Sequence, residues 1–424
     1  MVNRFQSFFY GWIIVFIAGL AVFFSGPGQT YSNSIYITEY IDHFGWSNTE
    51  ISSIYSIATF CAGILMMFVG RMVDKIGQKK MLIFAGVALG LACFYNSIVS
   101  NIWMMAIGFF FIRLFGQGSM TLIPNTLVPQ WFIQKRGRAL SFMAIGGFAS
   151  AAFFPLANAW LIQRWDWQTS WQVWGALLLF LFVPLVILFV RNKPEDIGLK
   201  PDGLTLRKNK NQKQPIPIAE VDWTLQEARK TLAFWALIVC VGIPALVNTA
   251  ITFHLVSIFR ENHITPEIAA TVLSLMAIIG FPISLISGFI LEKVKTRTLL
   301  IVIFILETVL LLLLLITQNV LTAIIFGVIW GMASGLERIT INIVWPNYFG
   351  RKYLGSIKGV AVTVTVVASS FGPLPLGVGY DVLQSYTQAL VLIMLFPIIG
   401  LIAATLAKKP VKEVDSTRSK YVAP

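Results

Sequence analysis

Long apolar runs separated by short polar segments make up most of the sequence. A bilayer hydrocarbon core about 30 Å thick is crossed by about 20 helical residues, and twelve runs reach that length. The pattern predicts an all-α membrane protein with twelve transmembrane helices, numbered here in chain order. The runs lie near residues 10–36, 48–70, 80–99, 102–127, 138–162, 168–190, 232–258, 267–290, 298–317, 319–346, 356–380 and 385–407.

Composition excludes several classes of protein. Of the 424 residues, 57% are hydrophobic and only 12% are charged, whereas a soluble domain carries about a quarter charged residues. The three cysteines and three histidines are too scattered for a disulfide framework, a metal site or a haem centre. We therefore expect no cofactor and no metal. The net charge of +13 comes from short basic clusters between apolar runs, so we expect the lipid bilayer, not nucleic acid, as the surrounding partner.

The basic clusters predict the orientation. If the N-terminus is cytoplasmic, 28 of the 32 Lys and Arg residues fall on the inner side, and only Arg164 and Arg260 fall in outer loops. The positive-inside rule then places both termini in the cytoplasm of a multi-pass cell membrane protein. Polar sequence without a cleavage pattern follows the first run, so we interpret that run as helix 1 and not as a signal peptide.

One segment is long, polar and rich in Pro and Lys, and it divides the chain. Residues 193–231 are predicted to form a cytoplasmic linker, within which DWTLQEARK is expected to form a helix along the membrane surface. The predicted organisation is an N-terminal six-helix bundle at 1–192, the linker, a C-terminal six-helix bundle at 232–410 and a cytoplasmic tail at 411–424.

An internal repeat relates the two halves. At a shift of about 217 residues, RLFGQGSMTLIPNTLVPQWF aligns with WGMASGLERITINIVWPNYF, and GRMVDK aligns with GFILEK. Parallel six-helix repeats are typical of transporters that bind substrate between the halves. The paired residues are Gly118 with Gly335, Asn125 with Asn342, Pro129 with Pro346, Phe132 with Phe349, Gly70 with Gly288, Asp74 with Glu292 and Lys75 with Lys293.

These motifs resemble a known family. GRMVDKIGQKK (Gly70–Lys80) is similar to the loop motif of the major facilitator superfamily. WFIQKRGRALSFMAIGG (Trp131–Gly147) resembles the basic entry to helix 5 of monocarboxylate porters. FYGWIIV (Phe9–Val15), NKPEDIGLKPDG (Asn192–Gly203) and EARKTLAFW (Glu227–Trp235) resemble helix 1 and the linker of their bacterial relatives, which include the oxalate:formate antiporter. The resemblance covers nearly the whole chain and implies two pseudo-symmetric six-helix bundles with alternating access.

The resemblance also implies a gate. Gly70 allows close helix approach, while Asp74 at the helix end, beside Lys75, is expected to meet backbone amides and a basic partner across the halves. The second copy is degenerate, because Lys295 stands where a Gly belongs, so we expect a weaker latch at Glu292. Arg136, at the entry to helix 5, is assigned to the same gate.

Ionisable residues inside the apolar runs are candidate site residues, because each costs at least about 2.5 kcal/mol at the bilayer centre. In the major facilitator fold that the chain resembles, helices 4 and 10 face the cavity. Arg113, with Gln117 and Asn125, is the first-half candidate for gripping a carboxylate with its planar fork. Arg338 with Asn342 is the second-half counterpart. In the repeat alignment Arg338 pairs with Thr121, which lies eight residues after Arg113 in helix 4. The two arginines are therefore at different depths, and we expect one to bind substrate and the other to belong to the gate.

Further residues are candidates for coupling and contact. Glu337 is the candidate proton carrier, with a fixed ion pair to Arg338 or Arg113 as the alternative. His254 could titrate near physiological pH or make a structural hydrogen bond. Tyr31 and Asn33 follow the helix-breaking Gly-Pro-Gly of helix 1 and are candidate substrate contacts. Helix 8 carries no internal charge, unlike that of animal monocarboxylate porters, which argues against their proton mechanism.

The sequence thus predicts a secondary active transporter, functional as a monomer, that moves a small organic anion. The substrate is expected to be a monocarboxylate or related carboxylate, moved by proton symport or in exchange for a counter-anion. The alternative is efflux of amphipathic drugs or peptides by proton antiport. A ligand sensor is disfavoured because no soluble signalling domain is present in the sequence, and an enzyme or ATP-driven pump because the corresponding motifs are missing.

Overall fold

The computed structural model describes residues 9–46, 48–203 and 221–412, and within them twelve helices are long and apolar enough to cross a membrane. The all-α fold is confirmed, and the predicted runs differ from the helices by a few residues. Residues 204–220 of the predicted linker and 413–424 of the predicted tail lie outside the described residues. Helices 1–12 span Gly11–Tyr36, Ser53–Ile76, Gln78–Asn96, Ile102–Trp131, Arg136–Arg164, Trp167–Phe189, Leu232–Glu261, Thr271–Ile290, Thr296–Leu315, Val320–Phe349, Leu354–Leu383 and Tyr386–Leu406.

Each half has its own buried apolar cluster. Helices 1–6 pack around large side chains such as Trp131 and Trp171, and helices 7–12 pack around Trp330 and Trp345. Many aliphatic side chains on the outer surface stay exposed, as lipid-facing positions require. The helices alternate in direction, so one end of the bundle holds the linker and the turns joining helices 2–3, 4–5, 8–9 and 10–11. We call this end the linker face and the other end the opposite face.

Helices 1 and 4 each depart from regular α geometry. Helix 1 contains a short 3₁₀ turn at Gly26–Gly28, and helix 4 is π-helical over Arg113–Ser119. The two irregular segments touch, because a Cβ atom on Gly28 would collide with the Ile112 carbonyl oxygen and one on Gly116 would meet the Gly28 backbone. Only glycine permits this approach, which leaves backbone carbonyls of helix 1 available to side chains of helix 4.

Two equivalent latches join the halves at the linker face. In the first latch the Asp74 carboxylate accepts hydrogen bonds from the backbone amides of Gly355 (2.7 Å) and Ser356 (2.6 Å). In the second latch Arg138 donates to both Glu292 carboxylate oxygens, at 2.6–2.9 Å. The second latch is thus a bidentate ion pair, whereas the first is made with backbone amides. Asp74 meets the expected amides, no basic partner of Asp74 is found among the described residues, and Lys75 is exposed.

Further contacts close the linker face between the latches. The Arg136 guanidinium, buried as expected of a gate residue, donates from Nη1 to Asn347 Oδ1 at 2.9 Å. Gln130 and Arg351 exchange hydrogen bonds between their side chains and backbone carbonyls. Gly70 lies directly against Gly355, where a Cβ atom on either residue would collide with the other backbone. The two halves are thus in close contact across the linker face.

The two ends of the linker each cap a turn of the bundle. Asp202 accepts backbone hydrogen bonds from residues 133, 134 and 135, between helices 4 and 5, at 2.9–3.0 Å. Asp222 accepts two from Arg351 and Lys352, in the equivalent turn between helices 10 and 11, at 3.0 Å each. Each carboxylate thus satisfies amides next to a helix start.

The predicted surface helix within the linker is one turn long. It spans Leu225–Ala228, with Thr224 and Glu227 forming a capping box. The hydrogen-bonded ion pair with Lys412 and the Thr224 amide lower the pKa of Glu227 to about 2. This contact ties the end of the linker to the segment that follows helix 12.

The contribution of the Asp202 cap to stability can be measured separately from the effect of its backbone strain. Asp202 has a φ of 61°, so Asp202→Gly removes the carboxylate while tolerating that conformation, and Asp202→Ala adds strain. We expect the glycine variant to lose about 1–2 kcal/mol of stability and the alanine variant about 1 kcal/mol more. The measurement is thermal unfolding of the purified protein. Wild-type unfolding of Asp202→Gly would show that the cap contributes nothing.

The second latch is tested by exchanging its charges. Arg138→Glu places two carboxylates together and should open the linker face, while Arg138→Glu combined with Glu292→Arg should close it again. Opening is measured by the accessibility of a cysteine introduced at Ser284, whose carbonyl accepts a hydrogen bond from Ser141 across the interface. Equal labelling of the single and double variants would show that the ion pair does not hold the gate.

Candidate substrate cavity

A cavity of about 380 Å³ lies between the halves, bounded by helices 1, 2, 4, 5, 10 and 11. This volume suits a single small ligand. Three of the lining side chains are basic, and no Asp or Glu is among the described residues that line it. The polar lining residues are Ser25, Gln29, Tyr31, Thr59, Arg113, Gln117, Thr121, Asn125, Arg338, Asn342, Lys358 and Thr365.

Arg113 is held in place by neutral groups. It is 4% exposed, and its Nε donates to Thr59 Oγ1 at 2.9 Å. Its Nη1 donates to the Gly28 carbonyl at 2.9 Å, which the break in helix 1 leaves available, and to Thr30 Oγ1 at 3.2 Å. The guanidinium also lies 4.9 Å from the Tyr55 ring centroid. These contacts fix its position but leave its charge uncompensated.

Arg338 projects into the cavity, with its guanidinium 4.8 Å from the Phe148 ring centroid. The neighbouring Glu337 points away from the cavity, toward helix 7. Its Oε2 accepts from Asn248 Nδ2 at 3.2 Å, and Asn248 in turn accepts from Trp330 at 2.7 Å. Among the residues that the structure describes, Glu337 makes no ion pair with either arginine. These contacts do not include the alternative of a fixed ion pair, although Glu337 and Arg338 still attract each other electrostatically. Glu337 is not among the residues that line the cavity.

Lys358 is a cavity residue that the sequence analysis missed. It lies in the first turns of helix 11 and is 3% exposed. Its Nζ lies 2.8 Å from Asn342 Oδ1 and 3.4 Å from the Asn125 carbonyl. Its position inside the predicted run 356–380, which makes it a charge within an apolar run, was the available signal.

The other predicted contact residues divide between the cavity and its surroundings. Tyr31, Gln117, Asn125 and Asn342 line the cavity, and the Tyr31 hydroxyl donates to Ser150 at 2.7 Å. Asn33 does not line it. It is fully buried and donates to the Gln29 and Pro27 carbonyls. Asn33 therefore braces the break in helix 1, and its assignment as a substrate contact is corrected.

His254 also lies away from the cavity. Its Nδ1 is 3.2 Å from the Tyr386 hydroxyl at the start of helix 12, so the structural hydrogen bond is the alternative that the contact supports. Glu307 on helix 9 is buried as well, and neither of its carboxylate oxygens has a hydrogen-bond partner. His254, Glu307 and Glu337 are thus not among the residues that line the cavity.

Arg113, Arg338 and Lys358 lie at successive depths along the cavity. Twelve residues separate Arg113 from Asn125, about 18 Å along helix 4, and Lys358 meets Asn125 at the lower end. Arg338 lies one helical turn from Asn342, between these levels. Enclosed positive charges without carboxylates attract an anion strongly in a low-dielectric site and repel a cation.

Several curated transporters are similar to the chain over part of its length. The MFS-type transporter pynF of Aspergillus niger is 24% identical over 43% of each chain. The multidrug resistance protein MdtG of Escherichia fergusonii is 23% identical over 58% of this chain and 55% of its own. Monocarboxylate transporter 9 of Pongo abelii is 23% identical over 53% of this chain and 46% of its own. The chain thus spans about half the length of these relatives.

Solved structures share the fold over nearly the whole chain. FucP, described as a Major Facilitator Superfamily transporter in the outward conformation, superposes with a TM-score of 0.65 at 15% identity, covering 94% of this chain and all of FucP. The proton:xylose symporter XylE superposes with a TM-score of 0.68 at 14% identity, covering 94% of each chain. Residues 12–373 match the family model described as Major Facilitator Superfamily. The chain belongs to the Major Facilitator Superfamily.

Proposed function

We propose that this secondary transporter moves a small organic anion, a monocarboxylate or related carboxylate, across the cytoplasmic membrane by alternating access. The observation that carries the proposal is the charge of the central cavity. Arg113, Arg338 and Lys358 line it without a carboxylate among its described lining residues. Similarity to monocarboxylate transporter 9 agrees with this substrate class.

The energetic argument concerns desolvation. An anion that enters the cavity loses hydration worth many kcal/mol, and buried cations with free hydrogen-bond donors can replace it. Arg113 uses Nε and Nη1 in its described contacts with neutral groups, so Nη2 is available to a ligand oxygen. A neutral ligand would leave three charges uncompensated, and a cationic ligand would add to the repulsion.

The same charges favour exchange over net movement. A carrier that closes around an empty cavity encloses three basic side chains, of which only Arg338 has a nearby carboxylate among the described residues, that of Glu337, whereas a loaded carrier also encloses an anion. Return with a second anion is therefore easier than return empty. Proton symport is the alternative, and it would have to use Glu337, which lies behind the cavity wall beside Asn248.

The second candidate function is drug or amphipathic peptide efflux by proton antiport. Similarity to the multidrug resistance protein MdtG and apolar lining residues such as Met66, Leu122 and Ile341 favour it. The three basic side chains that line the cavity argue against efflux of cationic drugs, because like charges in a low-dielectric cavity repel strongly.

We also propose that the linker face is the cytoplasmic face and that the protein acts as a monomer. The basic residues support this orientation. Lys358 lines the cavity and does not lie in the turn between helices 10 and 11. The number of Lys and Arg residues assigned to the inner side therefore falls by one, and the excess over the outer side remains large. The closed linker face then corresponds to a carrier that is shut toward the cytoplasm.

Orientation is tested by labelling with an impermeant thiol reagent. In a background without Cys61, Cys93 and Cys240, cysteines at Lys210 and Lys420 should resist the reagent outside intact cells. A cysteine at Gln318, an exposed position in the turn between helices 9 and 10, should react. Rapid labelling of a cysteine introduced at Lys210 or Lys420 would show that the orientation is the opposite of the proposed one.

The anion proposal is tested by removing the arginine charges. Arg113→Gln and Arg338→Gln keep hydrogen-bonding capacity, and at least one of them should lower counterflow of labelled carboxylates in proteoliposomes by about a hundredfold or more. Lys should rescue poorly, because it lacks the fork. Arg164→Gln, the same change at an exposed position outside the cavity, is the matched control and should transport normally. If both cavity variants fold and transport normally, the efflux function takes first place.

A further inference from the structure

Lys358 stands where the two repeats meet. Asn125 and Asn342 are equivalent residues of the repeats on helices 4 and 10, and both contact its Nζ. Asn342 provides its side-chain oxygen at 2.8 Å and its carbonyl at 3.5 Å, and Asn125 provides its carbonyl at 3.4 Å. Helices 10 and 11 belong to one half and helix 4 to the other. The contact with Asn125 therefore crosses the interface.

The same lysine lies beside the first latch. Gly355 and Ser356, whose amides bind Asp74, precede Lys358 by three and two residues, within one turn of helix 11. One turn of helix thus carries both a gate contact and a cavity side chain. A force on Lys358 is transmitted directly to the turn that closes the linker face.

The present partners of Lys358 are weak ones. All three are neutral amide oxygens, and two of the three distances are at least 3.4 Å. A carboxylate forms shorter and about twofold stronger hydrogen bonds with an ammonium group. Asn125 also keeps a buried side-chain oxygen without a partner, so its surroundings are not fully satisfied in this conformation. An anion at the floor of the cavity would therefore displace these oxygens from Nζ.

We propose that Lys358 is a substrate-controlled clasp. In the empty carrier its ammonium group holds helix 4 across the interface through Asn125, while Asn342 keeps it in position within its own half. A substrate anion takes over the ammonium group, breaks the contact with Asn125 and so favours opening of the linker face. This role rests on the proposed anionic substrate. It makes Lys358 a positioning residue that links binding to gate opening.

The experiment measures the gate directly in the full-length protein. Spin labels at Lys135 and Lys352, exposed positions in the turns between helices 4 and 5 and between helices 10 and 11, report the separation of the halves. The native cysteines are replaced, and the protein is reconstituted in nanodiscs without ligand or with propionate, lactate, oxalate or benzoate. In the wild type we expect a closed population without ligand and an open population with at least one of these anions.

Lys358→Met removes the charge while keeping an unbranched side chain. We expect its open fraction without ligand to rise about tenfold or more and to respond no further to the anion. Lys358→Gln provides the same test if the methionine variant folds poorly. Lys358→Arg keeps the charge and should restore the response. Arg138→Gln breaks the second latch outside the cavity, so it should raise the open fraction without ligand and still respond to the anion.

The outcomes separate this role from the proposed function. If an anion opens the wild type and Lys358→Met to the same extent, the clasp is refuted while the anionic substrate stands. If Lys358→Met without ligand remains as closed as the wild type, the clasp is likewise refuted. If no anion moves the wild type although Lys358→Met opens it, the anionic substrate fails, and with it the control of the clasp by substrate.

Discussion

Three positive charges enclosed between two helical bundles constrain the rest of this structure. A buried cation without a counter-ion is costly, so the protein surrounds each one with neutral oxygens or an aromatic ring. The break in helix 1 leaves the Gly28 carbonyl available to Arg113, and the ring of Phe148 faces Arg338. The repeat supplies two asparagines to Lys358. These groups position the charges without neutralising them, which leaves compensation to a ligand.

Four carboxylates lie at the linker face, away from the cavity. Asp74 and Glu292 hold the latches, and Asp202 and Asp222 cap the turns beside them. Each satisfies backbone amides or an arginine at the linker face, where water and helix ends make a negative charge inexpensive. The described residues that line the cavity are therefore basic or neutral, while the carboxylates of the latches and caps lie away from it.

Much of this arrangement is readable in the sequence. The apolar runs gave the twelve helices, and the repeat correctly paired Asp74 with Glu292 and Asn125 with Asn342, which occupy equivalent places in three dimensions. Arg113 and Arg338 stood out because charges are rare in apolar runs. These features depend on local composition or on comparison of one half with the other.

The missed features depend on where a side chain points and on contacts between distant segments. Lys358 lies within a few residues of a turn, so its sequence position alone did not show that it enters the cavity. Asn33 was a candidate substrate contact and Glu337 the candidate proton carrier, but the break in helix 1 and the rotation of helix 10 direct both side chains away from the cavity. The caps by Asp202 and Asp222 join segments whose pairing has no periodic pattern in the sequence.

Selection of the ligand by charge is measured with a matched pair of ligands. Equilibrium binding to the purified wild-type protein is compared for each carboxylate that binds and for the amide of the same shape, such as propionate and propionamide. We expect the carboxylate to bind at least about a hundredfold more tightly, because only it compensates the enclosed cations. Equal affinity for the two ligands, or tighter binding of a cationic analogue, would show that the enclosed cations do not select the ligand.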